Sequence, residues 1–138
     1  MTVPNFISVD STLNSLIITS NFSTKKKIIV KKYLKSDNFS NDFYLILKKS
    51  AIQIHKAKLL IVNLGPGSYA GIRNILSCMK VLSMIKKIKL IGISNYDLCK
   101  IIDKKHKGSN RIILNVNKKF LDITKKEWML SKLQKAKL

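Results

Sequence analysis

Short runs of β-branched and apolar residues open the chain. Phe6 to Val9 reads as a strand, stopped by the turn-formers Asp10, Ser11 and Thr12 before a second run from Leu13 to Thr19, which predicts a hairpin. A third run, Ile28 to Leu34, follows the basic loop Lys25–Lys27 and mixes Ile and Val with lysine, the pattern of a partly exposed or edge strand. From Asn38 the period changes. Phe39, Phe43, Ile46, Leu47 and Ile54 fall at steps of three, four and seven, predicting one helix face, with Ser36, Asp37 and Asn38 as candidate caps. Leu59 to Val62 is an uninterrupted apolar run, expected of a central strand covered on both faces. It ends in Asn63-Leu64-Gly65-Pro66-Gly67.

A second helix is predicted from Ser68 to about Lys86, then a strand from Leu90 to Ile93 and a short helix from Asn95 to about Asp103. Two further runs, Ile112–Val116 and Phe120–Thr124, would form strands around the turn Asn117-Lys118-Lys119, and the C-terminus from Glu127 has a helical pattern. There is no internal repeat and no linker. The order β-β-β-α-β-α-β up to Ile93 is that of a ribonuclease H-like core, a meander continuing into right-handed parallel units with helices on both faces. The expected class is therefore α/β, a mixed five-stranded sheet flanked by helices.

Composition changes this picture little. The chain has 138 residues, 46% of them hydrophobic, which suits one compact domain. Its formal charge of +20 would draw a polyanion. Yet of the 27 basic residues only Arg73 and Arg111 are arginine, and arginine is what dedicated readers of nucleic acid favour. An excess of Lys, Ile and Asn also arises from an AT-rich genome, so a solvated surface is the bland reading and a stand-alone RNA-binding module the sharper one. Cys78 and Cys99 form no CxxC, and His55 and His106 stand near neither, which argues against structural zinc and disulfides and for a reduced, cytoplasmic setting. No stretch reaches the ~18 apolar residues of a membrane span.

The most specific segment is Gly65-Pro66-Gly67-Ser68-Tyr69-Ala70-Gly71-Ile72-Arg73, between a buried strand and a helix. Pro66 fixes φ, Gly67 is free to take positive φ in the turn, Ser68 can cap the helix, and Gly71 permits close approach. Backbone N–H groups at such a helix start can hold an anion; a tight turn packed for its own sake explains the same residues. In wording, GPGSYAGIR closely resembles the GPGS[FY]TG[LIV]R signature of the TsaB family, the dimerisation subunit of the bacterial machinery that makes threonylcarbamoyladenosine in tRNA. FISVDST, from Phe6 to Thr12, is similar to that family's opening strand, and LIGISNYD, from Leu90 to Asp97, to its strand after the second helix. The resemblance covers Phe6 to Cys99. It departs at Ala70, where Thr is usual; at Asn38, where a His-containing helix start is common; and at Asn115–Lys119, where an acid is missing.

The resemblance implies an actin-like ATPase-superfamily domain over residues 1–105, with 106–138 a remnant of the second domain that family members usually add. It implies a non-catalytic partner subunit that pairs with and activates a TsaD-type catalytic subunit, with a TsaE-type ATPase in the complex, tRNA met indirectly, and self-association when alone. It implies no cofactor on this chain, ATP being used by partners. The residues agree on the last point. Asp10 is followed by no glycine that would let amides reach phosphates, and GPGSYAG lacks the Gly-Lys-Ser/Thr ending of a Walker loop. A ribonuclease H-like nuclease would need several carboxylates around metal ions; Asp10 suits the first position, but the helix offers only Asp42 and the fourth strand ends in Asn63-Leu64.

Other candidates read as structure. Cys78 reads as a small core or interface residue, His55 as a solvated helix end, and Trp128 with Met129 and Leu130 as a docking anchor for the tail. The second helix is the exception. Ile72, Ile75, Leu76, Met79 and Leu82 share one stripe and Cys78, Val81 and Ile85 another, with Lys80 the only charge between Arg73 and Lys86. A helix on a sheet should show a polar face. This one leaves an apolar face for a partner, with Ile75, Cys78, Met79 and Leu82 as candidate interface residues, unless the C-terminal helix covers it.

Overall fold

The computed structural model describes residues 3–13, 15–22, 27–32, 38–50, 52–105, 111–116 and 119–124. Three strands, β1 (Phe6–Leu13), β2 (Ser15–Ser20) and β3 (Lys27–Lys32), form an antiparallel meander. Helix α1 (Phe39–Lys49) leads through a 3-10 turn at Ile54–Lys56 into β4 (Leu59–Asn63), and α2 (Tyr69–Lys86) leads into β5 (Lys89–Ile93). Strand order is β3-β2-β1-β4-β5, with β4 parallel to both β1 and β5. Helix α3 (Asn95–Lys105) and a separate hairpin of β6 (Arg111–Val116) and β7 (Lys119–Thr124) follow. This is the mixed five-stranded ribonuclease H-like, actin-like ATPase-type fold.

One sheet face carries the core. Ile7 and Val9 of β1, Leu16 and Ile18 of β2, and Leu60 and Val62 of β4 alternate with half-buried neighbours, as a period of two requires. Against them pack Phe39, Phe43 and Leu47 of α1 and Ile75 and Met79 of α2, each buried. β4 is central as expected, but Leu59 and Ile61 on its second face are only half buried. β3 lies at the edge, with Ile28 and Val30 exposed.

Two boundaries differ from the sequence pattern. Asp10, Ser11 and Thr12 do not end the first strand: β1 runs on to Leu13, with a register shift between Asp10 and Leu13. Asp10 Oδ1 accepts from both Thr12 N (2.8 Å) and Thr12 Oγ1 (2.7 Å), so the local turn tendency is met by a bulge inside the strand. Ile54 is not on α1, which ends at Lys49 with Ser50 closing its last turn; it lies in the 3-10 turn. Asn38 occupies the cap position of α1 without a side-chain cap bond. Ser36, Asp37, Leu34, His106, the turn at Asn117 and the segment from Glu127, Trp128 included, lie outside the described residues.

Candidate functional site

The parallel strands β1, β4 and β5 end on one side of the sheet, where open α/β sheets place their ligands. Asp10 of β1, Asn63 at the end of β4 and Asn95 at the start of α3 meet there. Asn63 is 2% exposed, and its amide nitrogen donates to Asp10 Oδ2 and to Asn95 Oδ1, both at 2.7 Å. Its Oδ1 accepts from Gly65 N at 3.0 Å, and Asn95 Nδ2 donates to the Pro66 carbonyl at 2.7 Å. Asn95 N also donates to the Gly65 carbonyl at 2.8 Å. A buried carboxamide is stable only with its donors and acceptor used, and Asn63 uses all three.

The Gly65–Ser68 loop is held from both sides. Gly65, not Gly67, takes the positive φ, 90°, after Leu64 N bonds the Ile93 carbonyl at 2.7 Å. Gly67 is required for space instead: a Cβ there would lie 2.5 Å from Thr12 Cβ. Gly71 sits against Ser11, where an added Cβ would run into the Ser11 carbonyl oxygen. Ser68 N donates to the Thr12 carbonyl at 2.7 Å, and Ser68 Oγ accepts from Gly71 N at 3.3 Å as the cap of α2. Ser11 and Thr12 are buried beneath this contact. Pro66 follows a cis peptide bond, and Arg73 is exposed in the first turns of α2.

This arrangement does not fit a metal or a nucleotide phosphate. Asp10 is the one carboxylate in the network, already engaged by three donors, and the neighbouring positions are amides. Among the described residues no group of three or more His, Cys, Asp or Glu could hold a metal ion. The amides of Ser68 and Gly71, which could have faced an anion, are spent on Thr12 and Ser68. The strand tips are a latch that ties the α2 start to β1, β4 and α3.

The second candidate region is the outer face of α1 and α2. Of the four residues expected at a partner surface, Ile75 and Met79 are the core side: both are 0% exposed against the sheet. The helix is apolar nearly all round, so periodicity located two stripes without showing which one the sheet would take. Cys78 and Leu82 are half buried and line a groove of about 660 Å³ between the helices, with Phe43, Tyr44, Val81 and Ile85. Cys78 Sγ lies 3.5 Å from Ser40 Oγ of α1. Large apolar side chains stand out around it: Tyr44 58%, Val81 55%, Met84 78% and Ile85 69% exposed. Tyr44 went unnoticed in the sequence because it falls off the buried stripe of α1.

No family model matches the sequence, and no curated protein does. Solved structures match the fold. An uncharacterized Pseudomonas aeruginosa protein with similarity to peptidase YeaZ shares 11% identity over 80% of this chain and 52% of its own, TM-score 0.62. YeaZ from Pseudomonas aeruginosa shares 10% over 80% and 53%, TM-score 0.61. T. thermophilus RuvC, in complex with Holliday junction substrate, shares 8% over 78% and 72%, TM-score 0.50. The chain spans about half the length of the two Pseudomonas proteins. Among the described residues no helix is long and apolar enough to cross a membrane.

Proposed function

We propose that this chain is a non-catalytic partner subunit that pairs through the exposed α1/α2 face with a homologous catalytic subunit of TsaD type, which it activates for threonylcarbamoyl transfer to the tRNA adenosine beside the anticodon. A TsaE-type ATPase would join the complex, and ATP would be used there and not on this chain. The observation that carries this reading is the outer face of α1 and α2, where Tyr44, Val81, Met84 and Ile85 are exposed around the groove. An apolar surface of this kind on a helix pair suits a second helix pair.

The likeness of fold to YeaZ, a TsaB homologue, supports the same reading, as does the GPGSYAGIR segment. The latch at the strand tips supports a subunit without its own chemistry, because it spends the amides and the carboxylate that catalysis would need. Its role is to set the start of α2, and so the position of the pairing face.

The test is co-purification with the TsaD homologue of the same genome, comparing the wild type with Val81→Lys and Ile85→Lys. Stable pairing that both changes abolish, with the fold intact by circular dichroism, is the expected result. Absence of pairing at any salt concentration overturns the reading.

A further inference from the structure

The groove between α1 and α2 is apolar inside and cationic at its ends. Lys48 in the last turn of α1 and Lys86 in the last turn of α2 line it, as does His55 of the 3-10 turn, and all three are exposed. Ser40 and Ser77 line it toward the helix starts. There Arg73 lies one turn before Ser77 on the same side of α2, its carbonyl accepting from Ser77 Oγ at 3.0 Å. No described carboxylate lines the groove. Asp42 belongs to α1 but stands two positions from both Ser40 and Tyr44, which turns it away from them.

A second copy of the chain would lay this patch on itself. With like helix ends together, Lys48 and Lys86 meet Lys48 and Lys86; with the helices reversed, Lys86 meets the Arg73 end. Neither arrangement yields an opposite-charge pair from the described residues of the groove. The chain's own C-terminal segment has the same sign, with Lys125, Lys126, Lys132, Lys135 and Lys137 against the single acid Glu127. Apolar area nevertheless stands ready for burial, since Tyr44, Val81 and Ile85 are each more than half exposed.

We infer that this face selects its occupant by charge, taking a partner helix pair whose apolar side is flanked by carboxylates and disfavouring a second copy of this chain. The inference rests on the α1/α2 face being the pairing surface and adds what the other side carries. Burial of Val81 and Ile85 drives either pairing alike. Like charges brought together oppose the wrong pair and opposite charges favour the right one, so discrimination comes from the rim. The two pairs then respond to salt with opposite sign, because screening relieves the repulsion in a self-pair and weakens the attraction in a mixed one. Self-association of the isolated chain is a high-salt state.

The experiment is sedimentation equilibrium of the full chain, alone and mixed with Lys48→Glu/Lys86→Glu, at 50 and 500 mM sodium chloride. That variant keeps the helix pair and carries the charge inferred for the partner. Lys58→Glu/Lys89→Glu is the control, lowering the net charge equally at exposed positions outside the groove. At 50 mM the mixed pair should be about tenfold tighter than the wild-type self-pair, and at 500 mM the mixed pair should loosen while the self-pair tightens. Mixing with the control should change affinity by less than about threefold. A self-pair as tight at 50 mM as at 500 mM, a mixed pair no tighter than the self-pair, or an equal gain with the control overturns the inference. Circular dichroism checks both variants, and Lys48→Gln/Lys86→Gln, which should tighten the self-pair at 50 mM, replaces the first if charge reversal unfolds it. No catalytic subunit is needed. A wild type that co-purifies with that subunit but shows no charge selection sinks this inference alone, and charge selection without co-purification sinks the pairing reading alone.

Discussion

Single residues in this chain differ most where backbone meets backbone. Gly71 faces the Ser11 carbonyl, which cannot move without breaking β1, while the space above Gly92 is filled by the half-exposed side chain of Leu64, which can. Gly71→Ala should therefore cost about 1–3 kcal/mol by overpacking, read as a lower urea midpoint, and Gly92→Ala much less; equal costs would mean that the loop is looser than its hydrogen bonds imply. Asn63 gives a second test. Asn63→Asp sets a carboxyl against Asp10, and two carboxylates at hydrogen-bonding distance cannot both ionise without cost. The introduced carboxyl keeps its proton more firmly in the folded state than in the unfolded one, so the variant's stability should fall as pH rises through and above about 4. Urea midpoints at pH 4 and pH 7 check the sign: the gap to wild type should be small at pH 4 and wide at pH 7.

At the scale of elements, strand positions were legible because β-branched runs and one strong loop motif bounded them, and the fold class followed from their order. The failures have physical causes. Asp10-Ser11-Thr12 has the composition of a turn, but pairing with β2 kept it in the strand and turned its tendency into a bulge. α2 concealed its inward side because an apolar stripe on each face gives no sign of which one the sheet takes; contact with β1 and β4 decides that, and the sheet took Ile75 and Met79. The latch was hidden for a different reason. Asn63 and Asn95 are 32 residues apart, and a carboxamide signals nothing until its partners are placed; an Asn closing an apolar run was the only available hint. The corrected faces predict opposite outcomes for two methionines on one helix. Met79→Ala should cost about 2–5 kcal/mol, whereas Met84→Ala, on the exposed side, should stay within about 0.5 kcal/mol in the isolated chain. Similar losses at both positions would place both against the core.

The whole molecule carries a large excess of positive charge, and this bears on its stability. With a formal net charge of +20, the folded state gathers like charges that the unfolded chain holds farther apart, so repulsion opposes folding. Part of that cost is local, because Lys58, Lys86 and Lys87 gather around one concavity. Salt shortens the reach of this repulsion from roughly 30 Å at 0.01 M to about 3 Å at 1 M. The thermal midpoint should therefore rise between 20 mM and 500 mM sodium chloride, and Lys58→Gln/Lys86→Gln should raise the low-salt midpoint more than Arg73→Gln/Lys80→Gln does. If the two variants shift it equally, the repulsion belongs to the net charge and not to the concavity.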